Sequence, residues 1–255
     1  MALPVHALPR RDVLVAAGRV AAAVALVALP AGLAACSGGS SGGGPTGAAT
    51  TPAPPDAASL LATARTTLDG TAALAFTLLG TDLPPDGNVL VGGSGDLARP
   101  DGFQGTLDVR FAGALAKVEV VSTGGAFYAK LPLTSSFAKT DPKALGFTDP
   151  GKFMDPEAGI SQLLTTATVP QLRGESRVGA DVVTEVGATL PGDVVADLLT
   201  SADPAQDVAA TFAVTKDGRL RRAVLVGPFW AKGTKSTYTI VLDEYGKDVR
   251  ITAPA

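Results

Sequence analysis

Phe103-Gln104-Gly105-Thr106-Leu107-Asp108-Val109-Arg110-Phe111, then Ala112-Gly113-Ala114, then Leu115-Ala116-Lys117-Val118-Glu119-Val120-Val121-Ser122: these residues decide the fold. Leu107, Val109 and Phe111 alternate with Thr106, Asp108 and Arg110, and Val118 and Val120 sit between Lys117, Glu119 and Val121. A period of two with one apolar face marks a half-buried strand, and a glycine break between two such runs marks an antiparallel hairpin.

Working outward, the same pattern recurs on both sides. Residues 73–80, 89–98 and 126–131 read as strands, separated by Pro84-Pro85-Asp86-Gly87, Arg99-Pro100-Asp101-Gly102 and Thr123-Gly124-Gly125. Further runs at 169–178, 181–186, 207–215, 220–226 and 236–245 continue the series, with an Asp217-Gly218 hairpin turn between two of them. Helical spacing of leucines predicts a leading helix over 59–68, capped by Ser59 and ended by Asp69-Gly70. The middle of the chain changes character. Residues 143–146 read as a helical turn and 193–199 as a short helix. Asp149-Pro150 and Asp155-Pro156 each have the cap-then-proline form of a helix start. The expected fold is α+β: a single, strongly curved antiparallel sheet, a half-barrel, with helices packed on its concave face.

The first residues read as a processing signal. Arg10 and Arg11 precede an apolar run over 13–35, interrupted only by Arg19, and Leu33-Ala34-Ala35-Cys36 closes it with small residues before the single cysteine. Charged start, apolar middle and small-residue cleavage site are the three parts of a secretory signal peptide. Leu-Ala-Ala-Cys has the form of a lipobox, so residues 1–35 are expected to be removed and Cys36 to carry lipid of the palmitate class. Each buried methylene of such an anchor is worth roughly 0.8 kcal/mol, and two or three chains hold firmly. A spanning helix is the alternative, since the run is about long enough to cross a bilayer. Arg10-Arg11 also fits a twin-arginine signal, so the general secretory and the twin-arginine routes both stay open. Residues 36–58, rich in Ser, Gly, Thr, Pro and Ala, read as a flexible linker, and 59–255 as the folded domain. The expected location is the outer face of the cell membrane.

Maturation would also remove chemistry. His6 is the only histidine and Cys36 the only cysteine. Their loss excludes Ser-His-Asp and Cys-His nucleophile systems, His- or Cys-ligated zinc, and disulfides in the mature domain. No cofactor, no metal site and no enzymatic activity are expected. Taking Arg10, Arg11 and Arg19 from the 21 basic residues and Asp12 from the 24 acidic ones leaves 18 against 23, about −5. An acidic balance speaks against nucleic acid as a partner. Arg219, Arg221 and Arg222 read as a solvated strand face, Asp243-Glu244 as a strand end, and Asp155 with Glu157 as a helix cap.

The order of elements resembles the mycobacterial and actinobacterial lipoprotein family that includes LprG, LprA, LprF and LppX. The resemblance rests on the lipobox, the leading helix, Phe127-Tyr128-Ala129-Lys130-Leu131-Pro132 and the two Asp-Pro starts. It continues through Gly159-Ile160-Ser161-Gln162-Leu163-Leu164, Gly179-Ala180-Asp181-Val182-Val183-Thr184 and the closing 241–249 stretch. It implies a LolA-like half-barrel whose helices close a large apolar cavity. It also implies acylated cargo, a glycolipid or a triacylated lipid, carried across the envelope, in some members with a major-facilitator efflux pump as partner.

A lipid cavity needs apolar side chains that fail to close on each other, because interiors otherwise pack to crystal density. About 5% aromatic residues suits a roomy interior. The expected lining is Leu107, Val109 and Phe111, then Val118 and Val120, then Phe76 and Leu78, with Phe153, Ile160, Leu163 and Leu164 from the helical lid. Trp230 is expected to be a partly buried plug. A structural or signalling envelope lipoprotein without cargo is the rival reading, and a filled core would be its mark.

Overall fold

A computed structural model describes residues 56–111, 113–145, 147–230 and 234–255. Cys36, the expected lipidation site, lies outside the described residues. Pro52–Ala255 is one compact unit containing its own core and all of the strand pairing, the attributes of a domain that folds without the residues before it.

Eleven strands form one antiparallel sheet: β1 (Ala73–Thr81), β2 (Val89–Ala98), β3 (Gly102–Phe111), β4 (Ala114–Thr123), β5 (Ala126–Lys130), β6 (Ala138–Lys139), β7 (Thr168–Val178), β8 (Asp181–Leu190), β9 (Val208–Thr215), β10 (Leu220–Gly227) and β11 (Ser236–Asp243). Their order is β6-β5-β4-β3-β2-β1-β11-β10-β9-β8-β7. Each half is therefore a meander of sequence neighbours, and one long-range pairing, Leu78 opposite Ile240, joins the first strand to the last. The sheet does not close: β6 and β7 are its edges. Register shifts at Leu90/Gly92 in β2, in β7 and at Leu220/Arg222 in β10 are bulges, which bend and twist strands locally.

Among the described residues three α-helices share one hydrophobic core with a single face of this sheet: α1 (Ala57–Asp69), α2 (Ile160–Thr166) and α3 (Gly192–Leu198). Leu61, Ala64 and Leu68 from α1 meet Leu74, Phe76 and Leu242 there, all buried. Each fully buried Leu or Phe contributes about 1.5–3 kcal/mol relative to exposure. Helix α1 begins earlier than its leucine pattern implied. Asp56 is the cap, its carboxylate accepting from the Ser59 amide at 2.7 Å, so Ser59 lies inside the helix.

The middle segment partly departs from expectation. Asp149-Pro150 does open a helical piece, a 3-10 turn over Pro150–Met154 with the Asp149 carboxylate accepting from Gly151. A second 3-10 turn covers Pro142–Leu145. Asp155-Pro156, by contrast, opens no helix: the Asp155 carboxylate takes the Glu157 and Ala158 amides in a local turn, and α2 starts only after Gly159. Such side-chain-to-backbone bonds offer the chain an alternative to the helix.

Arg221 corrects another expectation. It is buried rather than solvated, its Nε 2.7 Å from Asp181 and its guanidinium 2.8 Å from Asp243. The bulge at the start of β10 turns it between two strand ends instead of outward. Asp243 is held below the ordinary carboxylate range, chiefly by the hydrogen bond from Arg221.

Candidate functional site

The interior beneath the helices is full. Gly95 of β2 pairs with Gly105 of β3, and the Phe103 ring lies against both, within 2.9 Å of where a Cβ on either would stand. Phe76 meets Phe103 edge-on at 6.4 Å and Phe153 at 5.4 Å. Small residues on the strands are thus matched by rings from neighbouring positions, so the low aromatic content leaves no large void. Among the described residues a gap of about 20 Å³ there is lined by Phe76, Leu78, Leu107, Phe153 and Trp230, among others. That is close to the room for one water molecule, about 10–15 Å³. Trp230 is partly buried against this core.

Open space lies instead at one end of the sheet. A groove of about 520 Å³ is lined by Val89 and Leu90 of β2, Val109 and Phe111 of β3, Ala116 and Val118 of β4, and Leu131, Pro132 and Phe147 beyond them. Its size falls within the roughly 300–1,000 Å³ typical of small-molecule sites. Leu90 and Phe147 border both the groove and the inner gap, and Phe147 stacks edge-on with Phe127 at 5.9 Å. Arg110 borders the groove, and its guanidinium donates to the Pro84 carbonyl.

The expected lining residues divide accordingly. Val109, Phe111 and Val118 line the groove; Phe76, Leu78, Leu107 and Phe153 line the small gap; Leu164 borders a separate surface depression with Leu61 and Pro170. Val120, Ile160 and Leu163 are buried in the packed core and line none of these spaces. The strand period places Val120 on the inner face, but Gly105 and Ala129 beside it leave room that the core fills.

Several groove residues carry no obvious sequence signal. Gly93 and Gly95 face the same side as Leu107 and Phe103, whereas beyond the bulge that role passes to Leu90 opposite Val109. One extra residue inverts the parity of the alternation. Ala116 was findable, being in step with Val118; Phe147 was not, since it comes from an irregular segment.

A broader open cleft of about 840 Å³ beside Thr148 is lined by lysines and aspartates together. Two of those aspartates, Asp141 and Asp149, accept from the backbone amides of Lys143 and Gly151. Among the described residues no cluster of His, Cys, Asp and Glu could hold a metal ion, and no helix is long and apolar enough to cross a membrane.

Solved structures that resemble this fold include two mycobacterial lipoproteins. LprF from Mycobacterium bovis superimposes with a TM-score of 0.61 at 16% identity, covering 78% of this chain and 97% of its own. Lipoprotein LppX from Mycobacterium tuberculosis gives 0.53 at 18% identity, covering 76% and 98%. A search of the curated proteins gives no significant match. The family model for the LppX_LprAFG lipoproteins matches residues 56–251, from the cap of α1 to beyond the last strand, and the chain belongs to that lipoprotein family.

Proposed function

We propose that this protein is a lipid-anchored carrier at the outer face of the cell membrane, a binding module and not an enzyme, which holds the acyl part of a lipid or glycolipid in the groove between β2, β3 and β4. The single observation that supports this most is an apolar groove of about 520 Å³ left open at the end of the sheet. Soluble domains normally cover such surface or use it. Membership of a lipoprotein family and a single large antiparallel sheet that does not close agree with the reading. A triacylated or glycolipid cargo exceeds the groove, and the inner gap of about 20 Å³ adds little room, so such a cargo requires the packed core beneath Leu90 and Phe147 to open. A major-facilitator pump as the receiving partner belongs to the same proposal, and no cofactor enters it.

Mass spectrometry of organic extracts from the Pro52–Ala255 unit tests this. Acylated lipid in stoichiometric amount, reduced severalfold by Ala116→Trp, is the expected result. Ala116 lies in the groove wall opposite Val109, so a large ring there fills the groove without entering the core. A unit that yields no lipid and takes up none from added glycolipid sinks the carrier reading. The filled interior, with a gap of only about 20 Å³, favours a structural envelope lipoprotein in that case.

A further inference from the structure

Large apolar side chains stand in solvent around the mouth of the groove. Phe111, at the end of β3, is 65% exposed, and Leu115, at the start of β4, is 69% exposed. Paired strand residues share a face, so Phe111 (opposite Ala114) and Leu115 (opposite Arg110) point to opposite faces of the same hairpin end. The hairpin tip is therefore apolar on both sides, which one protein surface laid along the groove would not cover. Leu131, on the far wall, is 44% exposed.

Leu133 adds an independent observation. The Thr134 amide donates to the Leu131 carbonyl at 3.1 Å, closing a turn with Pro132 and Leu133 at its centre. Leu133 has a φ of 70° and is fully exposed. A turn with Pro at its second position and positive φ at its third ordinarily carries Gly or Asn there. Leucine in that place strains the backbone and buries nothing, so the fold itself gains nothing from it. Strain held without local compensation points to use elsewhere.

The charges at this end nearly balance. Residues 81–90, 108–119 and 130–134, the strand ends and turns around the groove, carry three Lys and Arg against four Asp and Glu, a net of about −1 where the domain as a whole is near −5. Lys117 and Lys130 are held by Asp108 and Glu119. Among the described residues Arg110 has no carboxylate partner, and Lys139 and Lys143 line the separate cleft beside Thr148. Residues 37–55, between Cys36 and the first described residue, number 19. A Gly- and Ser-rich chain of that length spans about 25 Å on average, enough for a domain anchored there to bring this end to the membrane.

We propose that this end of the sheet is a membrane-docking surface. Phe111, Leu115, Leu131 and Leu133 enter the boundary between headgroups and acyl chains of a phospholipid bilayer, Arg110, Lys117 and Lys130 reach the headgroups, and the groove mouth opens onto lipid. An acyl chain then moves between leaflet and groove without crossing water. Docking stands on the apolar rim, the exposed Leu133 turn and the tether; its purpose rests on the carrier reading above.

Vesicle flotation of the Pro52–Ala255 unit tests the proposal. The parent is expected to float with phosphatidylcholine vesicles, with or without phosphatidylglycerol. Leu133→Ser and Phe111→Ser are each expected to weaken binding about tenfold or more, with melting temperature unchanged because neither side chain is buried. Val182→Ser, an exposed apolar position on β8, serves as the control and should bind as the parent does. A parent that stays in solution, or rim variants no weaker than the control, overturns the proposal. Lipid extraction from the same samples separates the two readings. Bound lipid without flotation overturns docking and leaves the carrier standing; flotation without bound lipid keeps docking and overturns the carrier.

Discussion

The hydroxyl of Tyr238 donates a 2.7 Å hydrogen bond to the main-chain carbonyl of Leu90, across a strand that lies between them. Tyr238 is on β11 and Leu90 on β2, with β1 separating the two. The crossing is possible because the β1 residue opposite Tyr238 is Gly80. A Cβ on Gly80 would stand 3.0 Å from the Tyr238 ring and 2.7 Å from Leu83. The bond meets β2 at its bulge, on the residue that borders both the groove and the inner gap. Tyr238→Phe leaves that carbonyl without its side-chain partner and is expected to cost about 1–3 kcal/mol, measured by urea denaturation. Gly80→Ala should cost about as much by overpacking. A Tyr238→Phe midpoint equal to the parent's would show that the bond has no net worth.

Alkaline stability follows from the same residue. Burial pushes the Tyr238 phenol up from 10.0 to about 12, and burial raises Tyr245 as well, whose hydroxyl donates to the Leu220 carbonyl at 2.7 Å. A group with its folded value raised contributes fully below its unfolded value, and that contribution is lost as pH climbs through the folded one. The melting temperature is therefore expected to hold up to about pH 10 and fall toward pH 12. The Tyr238→Phe, Tyr245→Phe double variant should fall less steeply; the same slope as the parent would refute the assignment.

Acid behaves in the opposite sense at Arg221. Asp243, lowered by its bond from Arg221, contributes stability above the ordinary aspartate range that disappears as pH falls through its lower folded value. Asp243→Asn should flatten that part of the pH–stability curve. Arg221→Ala should cost more at neutral pH, about 1–3 kcal/mol, since both carboxylates are partly exposed and keep some water. Thermal melts across the acid range read both effects.

Arg99 ties three pieces of chain together. Its guanidinium donates to the carbonyls of Thr71 at 3.0 Å, Leu68 at 3.1 Å and Met154, and lies 3.6 Å from Asp69. It thus joins the end of α1 to the 3-10 turn that carries Phe153. Arg99→Ala is expected to cost about 2–4 kcal/mol and to speed amide exchange over 150–154 more than over α3. Arg99→Lys should rescue little, because one ammonium cannot reproduce the planar fork.

Leu107→Trp tests how full the interior is. With only about 20 Å³ beside it, an indole there overpacks the core and should cost about 1–3 kcal/mol. Ala116→Trp, in the open groove, should leave the melting temperature within about 1 °C or so of the parent, surface changes typically staying within ~0.5 kcal/mol. Equal stability for Leu107→Trp would mean that the interior opens more readily than its packing implies.

Much of the sheet was legible because alternation is local. The runs at 89–98 and 103–111 sit on β2 and β3 almost to the residue, since each strand needs one apolar face whatever it pairs with. The Asp217-Gly218 turn likewise stands as read, with Gly218 at φ 82°. Two-residue β6 was not legible, because a pairing so short leaves no pattern. Asp155-Pro156 was misleading, because a cap signal cannot say whether the following amides prefer the helix or the cap's own side chain.

By itself the sequence determined the strands other than β6, the leading helix and the absence of histidine and cysteine from 56–255, all properties of composition or of near neighbours. Tertiary structure decided that β1 joins β11, that Arg221 is buried between two aspartates, and that the open space lies at the sheet end rather than beneath the helices. The physical reason is common to all three. Alternation says which side chains share a face, but whether that face meets a ring, a helix or solvent depends on residues far along the chain. Here Phe103 lies on Gly95 and Gly105 and fills the room they leave, while nothing comparable covers Val109 and Ala116.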